Sequence, residues 1–183
     1  MLQKCRWGAS LLIVFVLTGC LYPERKEYKV QLTARGGEFW SKEYGWKSDE
    51  TEKEKIQKDF DGLVAPHTSD KDDEEASRQG IYILDRKIYL KDGKINTEAH
   101  GLVAWHALEQ VVGLRVSHGE RMFVEPIWKG AQVECNGKVL VTDNNAVLVW
   151  PESQKTLTVS VVYKDILKKD DNLLALYKTW EKK

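Results

Sequence analysis

The chain contains few cysteines, and this scarcity limits how the protein is held together. Only three occur among its 183 residues, namely Cys5, Cys20 and Cys135. The first two lie in the N-terminal twenty residues, so Cys135 is alone in the main body of the chain. A lone cysteine cannot form a disulfide within a domain, and stability must then come from a buried core. We interpret Cys135 as a small buried side chain rather than as a nucleophile.

The chain also lacks an excess of charge of either sign. Lysine and arginine number 28, as do aspartate and glutamate, which gives a formal net charge of zero. Nucleic-acid binding depends on a basic surface, so this balance argues against a nucleic-acid partner. The acidic residues are concentrated in 47–80, where they outnumber the basic ones.

Motifs of catalysis and of metal binding are absent from the sequence. We find no G-x-S-x-G elbow, no H-E-x-x-H pair and no P-loop. The acidic run that begins at Asp70 lacks the glycine and the glutamate that an EF-hand loop requires. None of the histidines pair at the spacing of metal ligands: His67, His100, His106 and His118. We therefore expect neither a metal site nor a cofactor.

The first twenty residues have the layout of a secretory signal. Two basic residues precede an apolar run over 9–17, which is shorter than the roughly 20 residues that span a bilayer. The run ends in the sequence LTGC, from Leu17 to Cys20, which resembles the lipobox of bacterial lipoproteins. That resemblance implies cleavage between Gly19 and Cys20 and attachment of lipid to the Cys20 thiol. A membrane anchor made of several acyl chains holds a protein stably at the bilayer.

The resemblance also predicts the location and the domain plan. It implies residence in the cell envelope, and leucine at position 21 favours the outer membrane, on its periplasmic or surface face, if the host is Gram-negative. We expect a signal peptide over 1–19 and a lipidated tether over 20–27. A single β-rich domain is expected over 28–183, with an acidic loop at 64–80.

Residue patterning predicts an α+β fold that is predominantly antiparallel β, either sandwich-like or a curved sheet. Helical spacing over 96–113 predicts one main helix, and 48–61 predicts a short acidic helix. Asn136-Gly137 predicts a two-residue hairpin. The segment 173–180 fits a helix or a strand, of which the strand is favoured. Alternating or β-rich residues predict strands over 28–34, 81–84, 87–90, 114–116, 122–124, 131–135, 138–142, 146–150 and 156–163.

Three functional hypotheses follow from these observations. The leading one is a non-catalytic envelope lipoprotein that binds or scaffolds another component, either an envelope protein or a glycan. A second is a glycan- or lipid-binding module that uses an aromatic cluster. Most tryptophans are expected in the core, but Trp40 and Trp46 are candidate ligand contacts. The third is a hydrolase of cell-wall or extracellular substrates, which requires two carboxylates about 5–10 Å apart. Its candidates are Glu98, Glu109, Glu120 and Glu125.

Overall fold

A computed structural model describes residues 21–68, 71–127, 130–164 and 172–182. The predicted signal peptide, the cleavage site after Gly19 and the lipidation of Cys20 lie outside these residues, as does Trp128. The described residues form an α+β domain whose strands pair antiparallel, so the predicted fold class is confirmed.

Twelve strands make up most of the described chain. They are β1 (Leu21–Tyr22), β2 (Arg25–Thr33), β3 (Gly36–Tyr44), β4 (Lys47–Ser48), β5 (Ile81–Lys91), β6 (Lys94–Ala104), β7 (Arg115–Ser117), β8 (Glu120–Pro126), β9 (Ala131–Cys135), β10 (Lys138–Val141), β11 (Asn145–Pro151) and β12 (Thr156–Tyr163). The helices are α1 (Lys53–Val64), α2 (Lys71–Arg78), α3 (Trp105–Gln110) and α4 (Leu174–Trp180), and a 3₁₀ turn, Ala65–His67, extends α1.

Two sheets pack around the main core. One has six strands in the order β5-β6-β3-β2-β12-β9, and the other has four in the order β10-β11-β8-β7. Their inward-facing side chains form one hydrophobic cluster, in which Phe39 and Val161 of the larger sheet join Phe123, Leu148 and Trp150 of the smaller. Side chains alternate between the faces of a strand, so the other face of the larger sheet points outward.

A second hydrophobic cluster includes Leu21, the first described residue. The short strands β1 and β4 pair with each other, and α1 and α4 pack beside them. Leu21, Trp46, Phe60 and Leu173 are among its buried members. Within the described ranges, no helix has the length and apolar character needed to span a membrane.

The main helix lies elsewhere than predicted. Residues 94–104, which include the first half of the predicted helix over 96–113, form β6, and only 105–110 of the remainder are helical. The prediction fails because β6 is paired on both sides, with β3 and β5, and the ladder overrides the helical spacing. Gly101 packs so closely that a Cβ there would collide with the backbone oxygen of Tyr82. Among the described residues the longest helix is instead α1, which overlaps the acidic helix predicted over 48–61.

The prediction of a two-residue hairpin at Asn136-Gly137 is also wrong. Strand β9 pairs with β12 in the larger sheet, whereas β10 pairs with β11 in the smaller one. The chain therefore crosses between sheets at this point. Asn136 fixes the crossing, because its Oδ1 accepts hydrogen bonds from Thr158 N and Trp150 Nε1, both at 2.9 Å.

Leu21 already belongs to the folded domain, where the sequence predicts a tether over 20–27. Leu21 is 1% exposed and pairs with Ser48, and β2 starts at Arg25. The buried carboxylate of Glu24 lies 2.9 Å from Lys47 Nζ and 2.6 Å from Lys94 Nζ. Residues 21–27 are thus part of the fold, because Leu21 fills the second cluster and Glu24 meets two lysines.

Two further segments differ from expectation. The predicted acidic loop over 64–80 contains the end of α1 and the whole of α2, whose Asp73 lies 2.7 Å from Arg86 of β5. The segment 173–180 contains helix α4 instead of the favoured strand. Strand β12, the expected neighbour for a strand there, is already flanked by β2 and β9, which excludes that pairing.

Candidate functional site

The outward face of the six-stranded sheet carries two rows of polar and aromatic side chains. Strand register places Lys29, Trp40 and His100 side by side across β2, β3 and β6. The next row along the strands contains Glu27, Lys42 and Glu98 in the same order. The pleat points all six side chains away from the core, so they form a continuous polar surface with one tryptophan in it.

Trp40 is held between two neighbours. Its ring stacks on the imidazole of His100, with centroids 5.1 Å apart and planes 10° from parallel. Lys29 Nζ lies 4.7 Å from the centre of the Trp40 ring, within the range of a cation–π interaction. The imidazole is oriented by Glu38, whose Oε1 lies 2.7 Å from His100 Nε2. Trp40 is therefore preorganised, and neighbours already occupy positions over its ring.

A groove of about 600 Å³ opens on this face, beside Trp40. This volume is in the range of small-molecule sites. Two lysines and two glutamates face it, so its lining is mixed in charge. The lining residues are Glu27, Tyr28, Lys29, Trp40, Lys42, Glu134, Cys135, Asn136, Thr158, Val159 and Ser160.

Cys135 at the wall of the groove does not have the character of a nucleophile. The side chain is half-buried. Burial raises the pKa of the thiol and outweighs a hydrogen bond from the Gly137 N–H, which acts to lower it. Nucleophilic cysteines have a lowered pKa, because the thiolate is the reactive form. The geometry supports the interpretation of Cys135 as a packing residue.

Beside the groove, Glu98 is the centre of a hydrogen-bonded group. Tyr89 Oη donates to it at 2.6 Å, and the ammonium groups of Lys87 and Lys42 lie at 2.9 and 3.3 Å. Burial acts to raise the pKa of the Glu98 carboxyl, but the hydrogen bonds from these three residues outweigh it and lower the pKa. Glu98 is thus held ionised, which disfavours a role as general acid at neutral pH.

The other carboxylates proposed for hydrolysis occupy different places. Glu109 is exposed on α3 and Glu120 is exposed at the start of β8, whereas Glu125 is 0% exposed and lies in the core between the sheets. The groove, as lined by described residues, includes neither these three nor Glu98. The structure therefore does not bring the four candidate glutamates together.

The second predicted ligand contact, Trp46, is a structural residue. It is 6% exposed in the second hydrophobic cluster, and its Nε1 donates to Thr97 Oγ1 at 3.0 Å. The prediction that Trp46 contacts a ligand is wrong, because the chain after β3 turns inward and places Trp46 in the same buried cluster as Leu21. Trp150 is buried as well, while Trp105 and Trp180 are half-buried.

The histidines lie apart from one another. His100 is on β6, His106 is on α3, and His67 ends the 3₁₀ turn. Burial lowers the pKa of His67 to about 4, with a contribution from the nearby charge of Arg86. Among the described residues, no three histidine, cysteine, aspartate or glutamate side chains are grouped to hold a metal ion.

Several groove residues could not be selected from the sequence. In the sequence, Lys29 and Glu27 are polar positions of an alternating strand, and nothing else distinguishes them. Glu134 and Ser160 lie far along the chain from Trp40. Their convergence depends on the register of β2, β3, β12 and β9, which single-strand patterns do not specify. A scan against models of known protein families finds no match to this chain, and a comparison with curated proteins finds none either.

Proposed function

We propose that this protein is a lipoprotein anchored at Cys20 that binds another component of the cell envelope without catalysis. The anchor is inferred from the LTGC sequence and its preceding apolar run. The observation that carries the binding role is the groove beside Trp40, which combines a volume of about 600 Å³ with a preorganised aromatic side chain.

Binding is favoured over hydrolysis by the state of the carboxylates. Acid–base hydrolysis needs one carboxyl that is protonated and one that is ionised, set apart by their surroundings. Glu98 is instead held ionised by Tyr89, Lys87 and Lys42, and Glu125 lies in the core. The groove is better suited to recognition by ion pairs and hydrogen bonds.

The chemistry of the groove favours a polypeptide partner over a glycan. Sugars stack on an aromatic face that is free, whereas Trp40 has His100 and Lys29 over its ring. The lining alternates lysines with glutamates, namely Lys29 and Lys42 with Glu27 and Glu134. Such a surface complements a polypeptide segment that carries charges of both signs.

Site-specific photo-crosslinking in the native host tests this proposal. A benzoyl-phenylalanine is placed at Lys42, which lies in the groove and is exposed on β3. The matched control carries it at Arg115, an exposed residue on β7 of the other sheet. We expect a discrete crosslinked protein from position 42 and none of the same mass from position 115.

The variant Trp40→Ala separates specific from incidental contact. It removes the aromatic wall of the groove, and we expect the crosslink from position 42 to fall at least fivefold. The control Trp105→Ala alters a half-buried tryptophan on α3 and should leave the yield unchanged. Equal yields from positions 42 and 115, or crosslinks to polysaccharide alone, would contradict a protein-binding groove.

A further inference from the structure

The predicted lipid attachment site is next in sequence to a residue of the described fold. Leu21 is buried and pairs with Ser48, so Cys20 is the single residue between the predicted anchor and β1. One extended residue spans at most about 3.6 Å. A lipid on Cys20 would therefore hold the surface around Leu21 directly against the bilayer.

Helix α4 lies in that surface. Asn172 joins its start to β4, because Ser48 N donates to Asn172 Oδ1 at 3.1 Å and Asn172 Nδ2 donates to Ser48 O at 2.9 Å. Ser48 is the residue that pairs with Leu21, and Leu173 is buried in the same cluster as Leu21. These contacts place α4 beside the point where the lipid would be attached.

The composition of α4 suits the interface of a membrane. Leu176 and Trp180 pack against the second hydrophobic cluster but, like Leu174, stay only partly buried, and the Trp180 ring lies 5.6 Å from that of Tyr177. Lys178 and Lys182 are exposed near the end of the helix, where Glu181 is the one intervening acid. Tryptophan is favoured at the boundary between headgroups and acyl chains, and lysine reaches from there to lipid phosphates.

We propose that α4 is a second membrane contact, lying against the bilayer with Trp180 at the interface. The inference rests on the proposed anchoring at Cys20. The bilayer is favoured over a second protein as the occupant because the single connecting residue keeps this surface at the membrane. The anchored domain is then held at a defined orientation.

Fluorescence quenching by brominated phospholipids tests the contact. The native lipoprotein and its W180F and W105F variants are reconstituted in vesicles of phosphatidylethanolamine and phosphatidylglycerol, with and without bromine on the acyl chains. Trp105 is the control, because it directly follows the C-terminal end of β6, the end opposite to Lys94. The emission that is lost in W180F is the fluorescence of Trp180, and we expect brominated lipid to lower it at least twofold. The emission that is lost in W105F is the fluorescence of Trp105, and it should not change.

A second readout covers the case in which W180F does not fold. In the unaltered lipoprotein on vesicles, the amides of α4 should exchange hydrogen at least tenfold more slowly than in the unlipidated C20S protein in solution. The amides of α3 should exchange equally in both. Equal exchange at α4, or an unquenched Trp180, would overturn the inference.

Mass spectrometry of the same preparation distinguishes the two proposals. A lipidated Cys20 with an unquenched Trp180 contradicts the contact at α4 and leaves the anchor standing. A Cys20 that carries no lipid contradicts both the anchor and the contact that depends on it.

Discussion

Truncation of Leu21 tests whether the domain begins at the predicted lipid attachment site. Leu21 is 1% exposed and packs in the second hydrophobic cluster with Trp46, Phe60 and Leu173. A tether over 20–27 would leave this side chain in solvent. The substitution Leu21→Ala therefore leaves the free energy of unfolding unchanged if Leu21 belongs to a tether, and lowers it if Leu21 is part of the domain.

The expected loss of stability follows from the burial of the side chain. Replacing a buried leucine with alanine removes favourable transfer free energy and leaves a cavity, which together cost about 2–5 kcal/mol. For a domain of this size, each kcal/mol lowers the melting temperature by about 2–4 °C. We expect Leu21→Ala to lower the free energy of unfolding by about 2–5 kcal/mol.

The matched control is Leu140→Ala, the same chemical change at a leucine that is 66% exposed. It should alter the free energy of unfolding by less than about 0.5 kcal/mol. Urea denaturation of chains that start at residue 20, followed by circular dichroism, measures both. Equal unfolding midpoints for Leu21→Ala and the unsubstituted chain would refute the argument.

Three further predictions concern the strands, the sheet crossing and pH. Gly101→Ala should lower the free energy of unfolding by about 1–3 kcal/mol, because the new Cβ collides with the backbone oxygen of Tyr82 in the neighbouring strand β5. If the segment were a helix, the same change would raise that free energy by about 1 kcal/mol, so thermal melts decide between the two. Asn136→Ala should lower it by about 1–3 kcal/mol, because the buried indole N–H of Trp150 loses its acceptor, and Asn144→Ala is the exposed control in urea titrations. Because burial lowers the pKa of His67 to about 4, the unfolded chain binds more protons than the folded one below about pH 6.5. Stability should therefore decline as the pH falls from about 6.5 towards about 4, and a His67→Gln variant that showed the same decline in urea midpoint would contradict this origin.

The sequence predicts the fold class well where the burial alternates along a strand. The segment 156–163 alternates clearly and forms β12, and 146–150 lies within β11. The segment 96–113 misleads because its apolar residues also suit a helix, and only the pairing of β6 with two neighbours makes it a strand. Long-range pairing of this kind is not encoded in local spacing.

The candidate site is predicted only in part. The sequence marks both Trp40 and Trp46 as candidate ligand contacts; Trp40 lines the groove, but Trp46, six positions later, is buried in the second hydrophobic cluster. The sequence around the two tryptophans is similar in composition. Their different burial comes from the turn after β3 and from the cluster around Leu21. The partners of Trp40, such as Lys29 and His100, follow from sheet register and could not be read from the sequence.

Intact mass spectrometry of the protein purified from its native membrane tests whether Cys20 carries the lipid anchor. We expect a mature chain that begins at Cys20 and is heavier than its polypeptide by the mass of several acyl groups. A chain that retains residues 1–19, or a Cys20 without fatty acid, would contradict it.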